Sequence, residues 1–239
     1  MRIIPSAICA HLLTFGSLLG VSPSDHQPTN SPIRQISADL YEMNGIRFDK
    51  KQKTAQFETR VNLAKDLLEY GLVCKGGKLH ESLLRSDVEP ADLHVVMLLL
   101  GAQIPPQSTT STNASPWIDA NTLRTAPPLK GDTVTLSLQW KSDNQTRTAQ
   151  IEDWVLNKQT GKPMEHKSWI YNGSEIIDHS FMAQRERSVV ALVTDPFAMI
   201  NNINKGHDDD SLWYANSNLV PIVGTTVLLT IHLENSDQK

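Results

Sequence analysis

The chain has 239 residues, 39% of them hydrophobic and 20% charged, with a formal net charge of −4. That length and apolar share suit one globular domain with a sizeable core, and a mildly acidic chain without Lys/Arg runs argues against nucleic acid and anionic membrane surfaces as partners. The two cysteines, Cys9 and Cys74, are too few for an iron–sulfur cluster and too far apart for a C-x-x-C pair.

Residues 1–22 read as an export signal. Arg2 gives a basic start, Ile3 to Leu19 is largely apolar, and Gly20-Val21-Ser22 offers small residues to a signal peptidase. The alternative is a membrane anchor, because the run approaches spanning length. With the signal cleaved, no segment suited to membrane insertion is left, and the protein is expected to be periplasmic or extracellular. Residues 23–38 are rich in Pro, Ser, Asn and Gln and read as a flexible leader. The folded domain is expected over 39–235.

Within it, Ile46 to Phe48, a charged turn at Asp49 to Lys53, and the strict alternation of Phe57 to Leu63 predict a β-hairpin. An apolar strand from Leu67 to Cys74 meets Gly76-Gly77, and a second short strand carrying His80, Glu81 and Ser82 completes a predicted second hairpin. Pro90 opens a helix that Gly101 stops. Leu93, Val96, Met97 and Leu100 form one stripe, and Val95, Leu98 and Leu99 widen it almost all the way round, which predicts a buried helix. Residues 103–128 read as a long loop.

The second half is strand-rich. Val134, Leu136 and Leu138 alternate with polar residues before a turn at Ser142 to Gln145. Trp169 to Tyr171 enters Asn172-Gly173, a hairpin signal, and Ile176-Ile177 leaves it. Asp195-Pro196 is expected to start a short helix over Phe197 to Asn201, while Val189 to Val193 and Val227 to Leu233 read as strands. The expected fold is α+β, mainly antiparallel β-strands packed around one buried helix at about residues 90–100.

Three places could carry chemistry. His80-Glu81 begins like a zinc-protease motif, but Leu84 occupies the second histidine's place, and strand alternation separates the two side chains. His94 is the one polar side chain in mid-helix and needs either a hydrogen-bond partner or a ligand. Asp195 through Trp213 gathers asparagines, His207 and the run Asp208-Asp209-Asp210 before Trp213. Adjacent carboxylates repel unless solvated, paired or metal-bound. Asp and Asn are the oxygen ligands that calcium takes, although the EF-hand spacing is absent. His80, Glu81, His94, Asp195 and Trp213 are therefore candidate ligand-binding residues, and Asp208, Asp209 and Asp210 are candidate calcium ligands. A solvated acidic turn and satisfied core histidines are the plainer readings. No G-x-S-x-G elbow, P-loop or Rossmann glycine fingerprint is present.

The Gly76-Gly77 turn followed by LHESLL (79–84), DLHVVMLLLGA (92–102), DPFAMINN (195–202), DDDSLWYANS (208–217) and VPIVGTTVLLTI (220–231) resembles the YdjY domain of exported bacterial proteins, common in planctomycetes. The likeness covers about residues 40–233. It implies a bacterial, exported context and no established activity. Some relatives add ferredoxin-like cysteine motifs, which this chain lacks, so electron transfer does not carry over. The expected function is an exported non-catalytic binding or interaction domain for a small molecule or protein partner, cation-dependent if the acidic run binds calcium. The alternative is a hydrolytic enzyme using His80 or His94 as general base beside a carboxylate.

Overall fold

The computed structural model describes residues 32–104 and 129–234. The expected export signal, most of the leader and nearly all of the 103–128 loop lie outside the described residues. The first strands are β1 (Ile33–Gln35), β2 (Leu40–Met43), β3 (Ile46–Asp49), β4 (Thr54–Val61), β5 (Tyr70–Cys74) and β6 (Ser82–Ser86), followed by helix α1 (Pro90–Leu99). Then come β7 (Asp132–Ser142), β8 (Gln145–Gln150), β9 (Val155–Asn157), β10 (Trp169–Tyr171), β11 (Ile176–Ile177) and β12 (Ser180–Phe181). Helix α2 (Met182–Glu186), β13 (Ser188–Ala191), β14 (Ile200–Asn201), β15 (Trp213–Ala215) and β16 (Thr226–Leu233) complete the described chain.

Eight of these strands close into a barrel in the order β4, β16, β7, β10, β14, β13, β5, β6, and β6 pairs back onto β4 through Val61 and Leu84. The wall is cleanest at β4–β16–β7. There Leu229 stands opposite both Phe57 and Leu138, and Ile231 opposite both Ala55 and Leu136. Cross-strand partners share a face, so the alternating apolar residues of all three strands point inward together. Phe57, Val61, Val134, Leu136, Leu138, Val227, Leu229 and Ile231 are buried.

This architecture corrects the expected α+β fold. The protein is mostly β, and the core lies inside a closed sheet rather than around a helix. Helix α1 has the expected bounds and ends as expected. Gly101 is left-handed (φ 96°), and the Ala102 N–H closes onto the Met97 carbonyl. Leu93, Val96, Met97 and Leu100 are buried, but Val95, Leu98 and Leu99 are 39%, 43% and 37% exposed. An apolar circumference thus does not imply full burial, because only the stripe that meets the sheet is covered. Among the described residues no helix is long and apolar enough to cross a membrane.

Four local expectations also change. Residues 33–35 of the supposed leader form a strand paired with β2. Strands β5 and β6 are parallel neighbours, not a hairpin. The connection between them turns back through Gly76 and a single 3₁₀ turn at Leu79–Glu81, which Asn62 pins by donating to the Leu79 and Ser82 carbonyls. Asn172-Gly173 does not join β10 to β11; β11 pairs with β12, and β10 lies between β7 and β14. Phe197 to Asn201 is a turn leading into β14, not a helix.

Candidate functional site

The sequence candidates occupy four neighbourhoods, three of them linked: Glu69 feels the charges of Glu81, His80 and Asp210, and Lys78 and Tyr70 lead from the His80 turn to Asp195. His80 lies on the 3₁₀ turn, with its side chain 79% exposed and its ring 3.5 Å from Glu81. Burial beside Glu81 and, more distantly, Asp210 raises the pKa of Glu69, with Lys78 and His80 offsetting part of that effect. This is a mixed-charge rim. His94 is half-buried, and burial lowers its pKa. Its Nδ1 is 2.9 Å from the Tyr171 hydroxyl, and its ring centroid is 4.8 Å from that of Phe181. It is a satisfied packing histidine. His80 lies beside Glu81, one of the histidine–carboxylate pairings expected of the hydrolytic alternative, whereas His94 has Tyr171 and Phe181 as its neighbours.

Asp195 organises a buried polar network. Its carboxylate accepts from the Tyr70 hydroxyl at 2.8 Å and from the Phe197 N–H at 2.9 Å. Lys78 in turn donates to the Tyr70 oxygen at 2.6 Å. Asn201 accepts from the Asp195 N–H and donates to the Asp195 carbonyl and to Asn172. Asn172 donates to the Ala198 carbonyl, and the Ser174 hydroxyl to that of Phe197. Burial and the adjacent Asp195 carboxylate raise the Tyr70 pKa, so this tyrosine is held protonated and serves as a hydrogen-bond donor rather than a base. Cys74, buried on the same strand, has its thiol pushed up to about 12 by burial and is inert.

The acidic run is a turn, and its three carboxylates do not converge. Asp209 accepts from the Ser211 N–H and hydroxyl. Asp210 faces Glu69, and Asp208 lines a cleft. Among the described residues no group of three His, Cys, Asp or Glu side chains is placed to hold a metal ion.

A cleft among the described residues is a candidate binding site. It encloses about 590 Å³ between the turn that follows β9 and the turn that precedes β15. Strand pairing of β9 with β15 and a Lys158 N–H to Leu212 carbonyl bond hold these turns together. Trp213 donates from its indole to the Gly206 carbonyl at 3.1 Å, which fixes the second turn. Gly206 is left-handed (φ 93°), and a Cβ there would come within 2.2 Å of the Leu212 side chain, so any other residue would be strained and would force Leu212 to move. Lys162, Glu165, Lys205, Asp208 and Asp209 bring charges of both signs to the walls, and Trp213 and Met164 lie beneath them.

Of the lining residues that the sequence did not single out, Asn204 matters most. Asn204 lines the cleft and is only 4% exposed. Its amide nitrogen donates to the Glu165 carbonyl at 3.2 Å, while its Oδ1 has no hydrogen-bond partner. Leaving a buried acceptor unsatisfied is costly, and such atoms mark places where water, an ion or a ligand completes the bonding. In the sequence Asn204 was one asparagine among several, and only the fold separates it from Asn201 and Asn202, whose amides are spent on backbone.

No curated protein and no solved structure matches this chain. The family model of the YdjY domain matches residues 46–232, which takes in every barrel strand and the cleft. The chain belongs to the YdjY domain family.

Proposed function

We propose that this domain is a non-catalytic binding module, exported from the cell, whose ligand occupies the cleft between the β9 turn and the β15 turn. The observation that carries the reading is Asn204, which lines a cavity large enough for a small polar molecule and whose buried Oδ1 has no hydrogen-bond partner. The lining is rich in acceptors, from Asn204, Glu165, Asp208 and Asp209, with Lys162 and Lys205 as cationic donors. That set suits a ligand with hydroxyl or ammonium donors, such as a polyol or an amino acid. Calcium is a competing occupant, because an amide oxygen beside carboxylates is a hard-oxygen donor set. The catalytic alternative is less favoured because His94 is half-buried against Tyr171 and Phe181 and His80, though beside Glu81, stands on an open rim.

Thermal shift with monosaccharides, amino acids and calcium chloride tests the reading. A ligand bound by the folded state raises Tm with the logarithm of its concentration. Asn204→Asp and Asp208→Asn should each remove the increase produced by a bound organic ligand. An increase with calcium alone, abolished by Asp208→Asn, would assign an ion site instead. No shift with any member of the panel would sink the cleft as a binding site.

A further inference from the structure

On another face of the barrel, a strand edge that no described residue pairs with lies beside a pocket of mixed apolar and polar walls. Strands β7 and β8 form a hairpin through Asp143-Asn144, both left-handed (φ 51° and 60°), which makes a two-residue turn. In such a hairpin the flanking pair Ser142–Gln145 exchanges both backbone hydrogen bonds, and hydrogen-bonded pairs then alternate along the ladder. Trp140–Arg147 and Leu138–Ala149 are accordingly bonded pairs. The backbone N–H and C=O groups of Thr146 and Thr148 therefore point away from β7. The next outward group, the Gln150 N–H, is already taken by Asp153 at 2.9 Å. Among the described residues β8 pairs with β7 alone. Its six-pair register runs without a bulge and contains no proline, so neither of those devices blunts the edge.

The face beside this edge is built to receive a side chain. Trp140, Arg147 and Ala149 share one face, since cross-strand partners point the same way. With Trp154, Leu219 and Pro221 they line a pocket of about 550 Å³ that shares no lining residue with the cleft above; Asp153 also lines it, but its carboxylate is engaged by the Gln150 N–H and His166. Trp154 is fully buried edge-on to Trp140, with ring centroids 5.0 Å apart, and its indole N–H has no hydrogen-bond partner. Leu219, Ile222 and Val223, exposed at 50%, 83% and 62%, carry the apolar surface onward. Arg147 makes no ion pair or side-chain hydrogen bond among the described residues.

We propose that β8 is an acceptor edge for an extended peptide of another polypeptide. The peptide adds as a strand beside Thr146 and Thr148, places an apolar side chain in the Trp140–Trp154 pocket, and brings a carboxylate to Arg147 on the same face. Main-chain bonds supply affinity in this mode, and the alternate side chains supply specificity. A second copy of this chain is a poorer occupant. Its own β8, Gln-Thr-Arg-Thr-Ala-Gln, offers no bulky apolar side chain and would set Arg147 near its symmetry mate.

The test uses the full chain and a set of capped, threonine-rich heptapeptides in which leucine, phenylalanine or tyrosine is followed two residues on by aspartate. Amide chemical shifts should move at residues 145–150 and 218–223. Methylating the peptide's edge-facing backbone nitrogens should weaken binding about tenfold or more, as loss of a single well-made bond can. Thr148→Pro removes a free N–H without touching the β7 ladder, and Arg147→Glu reverses an exposed charge; each should weaken binding to a similar degree. If Thr148→Pro fails to fold, Arg147→Glu and the methylated peptides decide the question. Absence of binding by every peptide at millimolar concentration would overturn the proposal, and so would unchanged affinity in both variants. A concentration-dependent dimer that Thr148→Pro dissociates would put a second copy on the edge and overturn the assignment to another polypeptide.

Discussion

The β4–β16–β7 wall and the segment 192–215 bury comparable kinds of chain by opposite means. In the wall, backbone groups pair with one another along unbroken registers, and apolar side chains alternate inward. Between Leu192 and Ala215 only β14 and β15 are regular, yet Leu192, Met199, Ile200, Asn201, Asn202, Asn204 and Trp213 are all buried. There the ladder is replaced by side-chain amides. Asn201 serves Asp195 on both its N–H and its carbonyl, Asn202 donates to the Leu192 carbonyl, and Asn172 donates to those of Pro196 and Ala198. Irregular backbone can be buried only when some other group satisfies it. The asparagines that looked like ligands in the sequence are mostly that replacement, and Asn204, whose oxygen is left over, is the exception.

The comparison is sharpest under mutation. In the apolar core the cost is a cavity. Leu229→Ala in the wall and Met97→Ala under helix α1, both fully buried, should each destabilise by about 2–5 kcal/mol. Urea unfolding measures this directly, and the midpoint should fall with little change in m. A loss under about 1 kcal/mol for Leu229→Ala would mean that the barrel interior can collapse around the deletion. In the asparagine-tied segment the cost is unsatisfied polar groups. Asn201→Ala strips partners from the Asp195 N–H, the Asp195 carbonyl and Asn172 Oδ1, and should cost about 1–3 kcal/mol or somewhat more. Asn201→Leu should do no better despite its added apolar volume. If the leucine variant rescued stability, packing rather than hydrogen bonding would hold the segment.

The same contrast explains what was legible in the sequence. Phe57 to Val61, Val134 to Leu138 and Val227 to Leu233 carry a period of two, and the structure makes each a barrel strand with the expected inward face. The α+β reading failed because periodicity gives the face of an element and not the partner that covers it. Closure of the sheet depends on β6 reaching β4, a pairing between Arg60-Val61 and Leu84-Arg85 that no local pattern announces. The Asn172-Gly173 signal misled for a related reason. Gly173 is left-handed, as the signal requires, but the Asn172 side chain is drawn into the interior to hold Pro196 and Ala198, which a two-residue hairpin would not allow. Of the candidate site, Asp208, Asp209 and Trp213 were found by their chemistry, whereas Asn204, Glu165 and Lys162 join them only through the pairing of β9 with β15.

Between wall and loop sits one buried acid whose titration separates the two modes. Glu152 is 3% exposed and accepts from the Trp169 indole at 2.9 Å, while its second oxygen has no partner. Burial raises its pKa above the usual glutamate value, an effect that the Trp169 bond reduces without cancelling. The folded state therefore holds this proton more tightly than the unfolded state. The associated stability is fully present below the unfolded pKa of 4.5 and is lost as pH rises through the folded value. Glu152→Gln keeps the Trp169 acceptor and removes the titration, so the variant should lack this loss and gain stability relative to wild type toward neutral pH. Equal pH slopes for the two proteins, read from urea midpoints between pH 4 and 8, would show that Glu152 ionises without penalty.

The smallest expected effect tests the corrected fold most directly. Met97 and Leu98 are adjacent on helix α1 and equally apolar in the sequence, yet one is fully buried and the other 43% exposed. Were the helix the centre of an α+β core, a charge at either position would be ruinous, because an unpaired buried ammonium is among the costliest groups a core can hold. On the surface of a barrel only one should matter. Leu98→Lys should change stability by no more than about 0.5 kcal/mol, since lysine is a good helix former and its head reaches water from a half-open site. Met97→Lys should unfold the domain or cost well over about 3 kcal/mol. If Leu98→Lys were instead as damaging as Met97→Lys, the outward face of α1 would be covered in solution, and a partner or a segment outside the described residues would have to be packed against it.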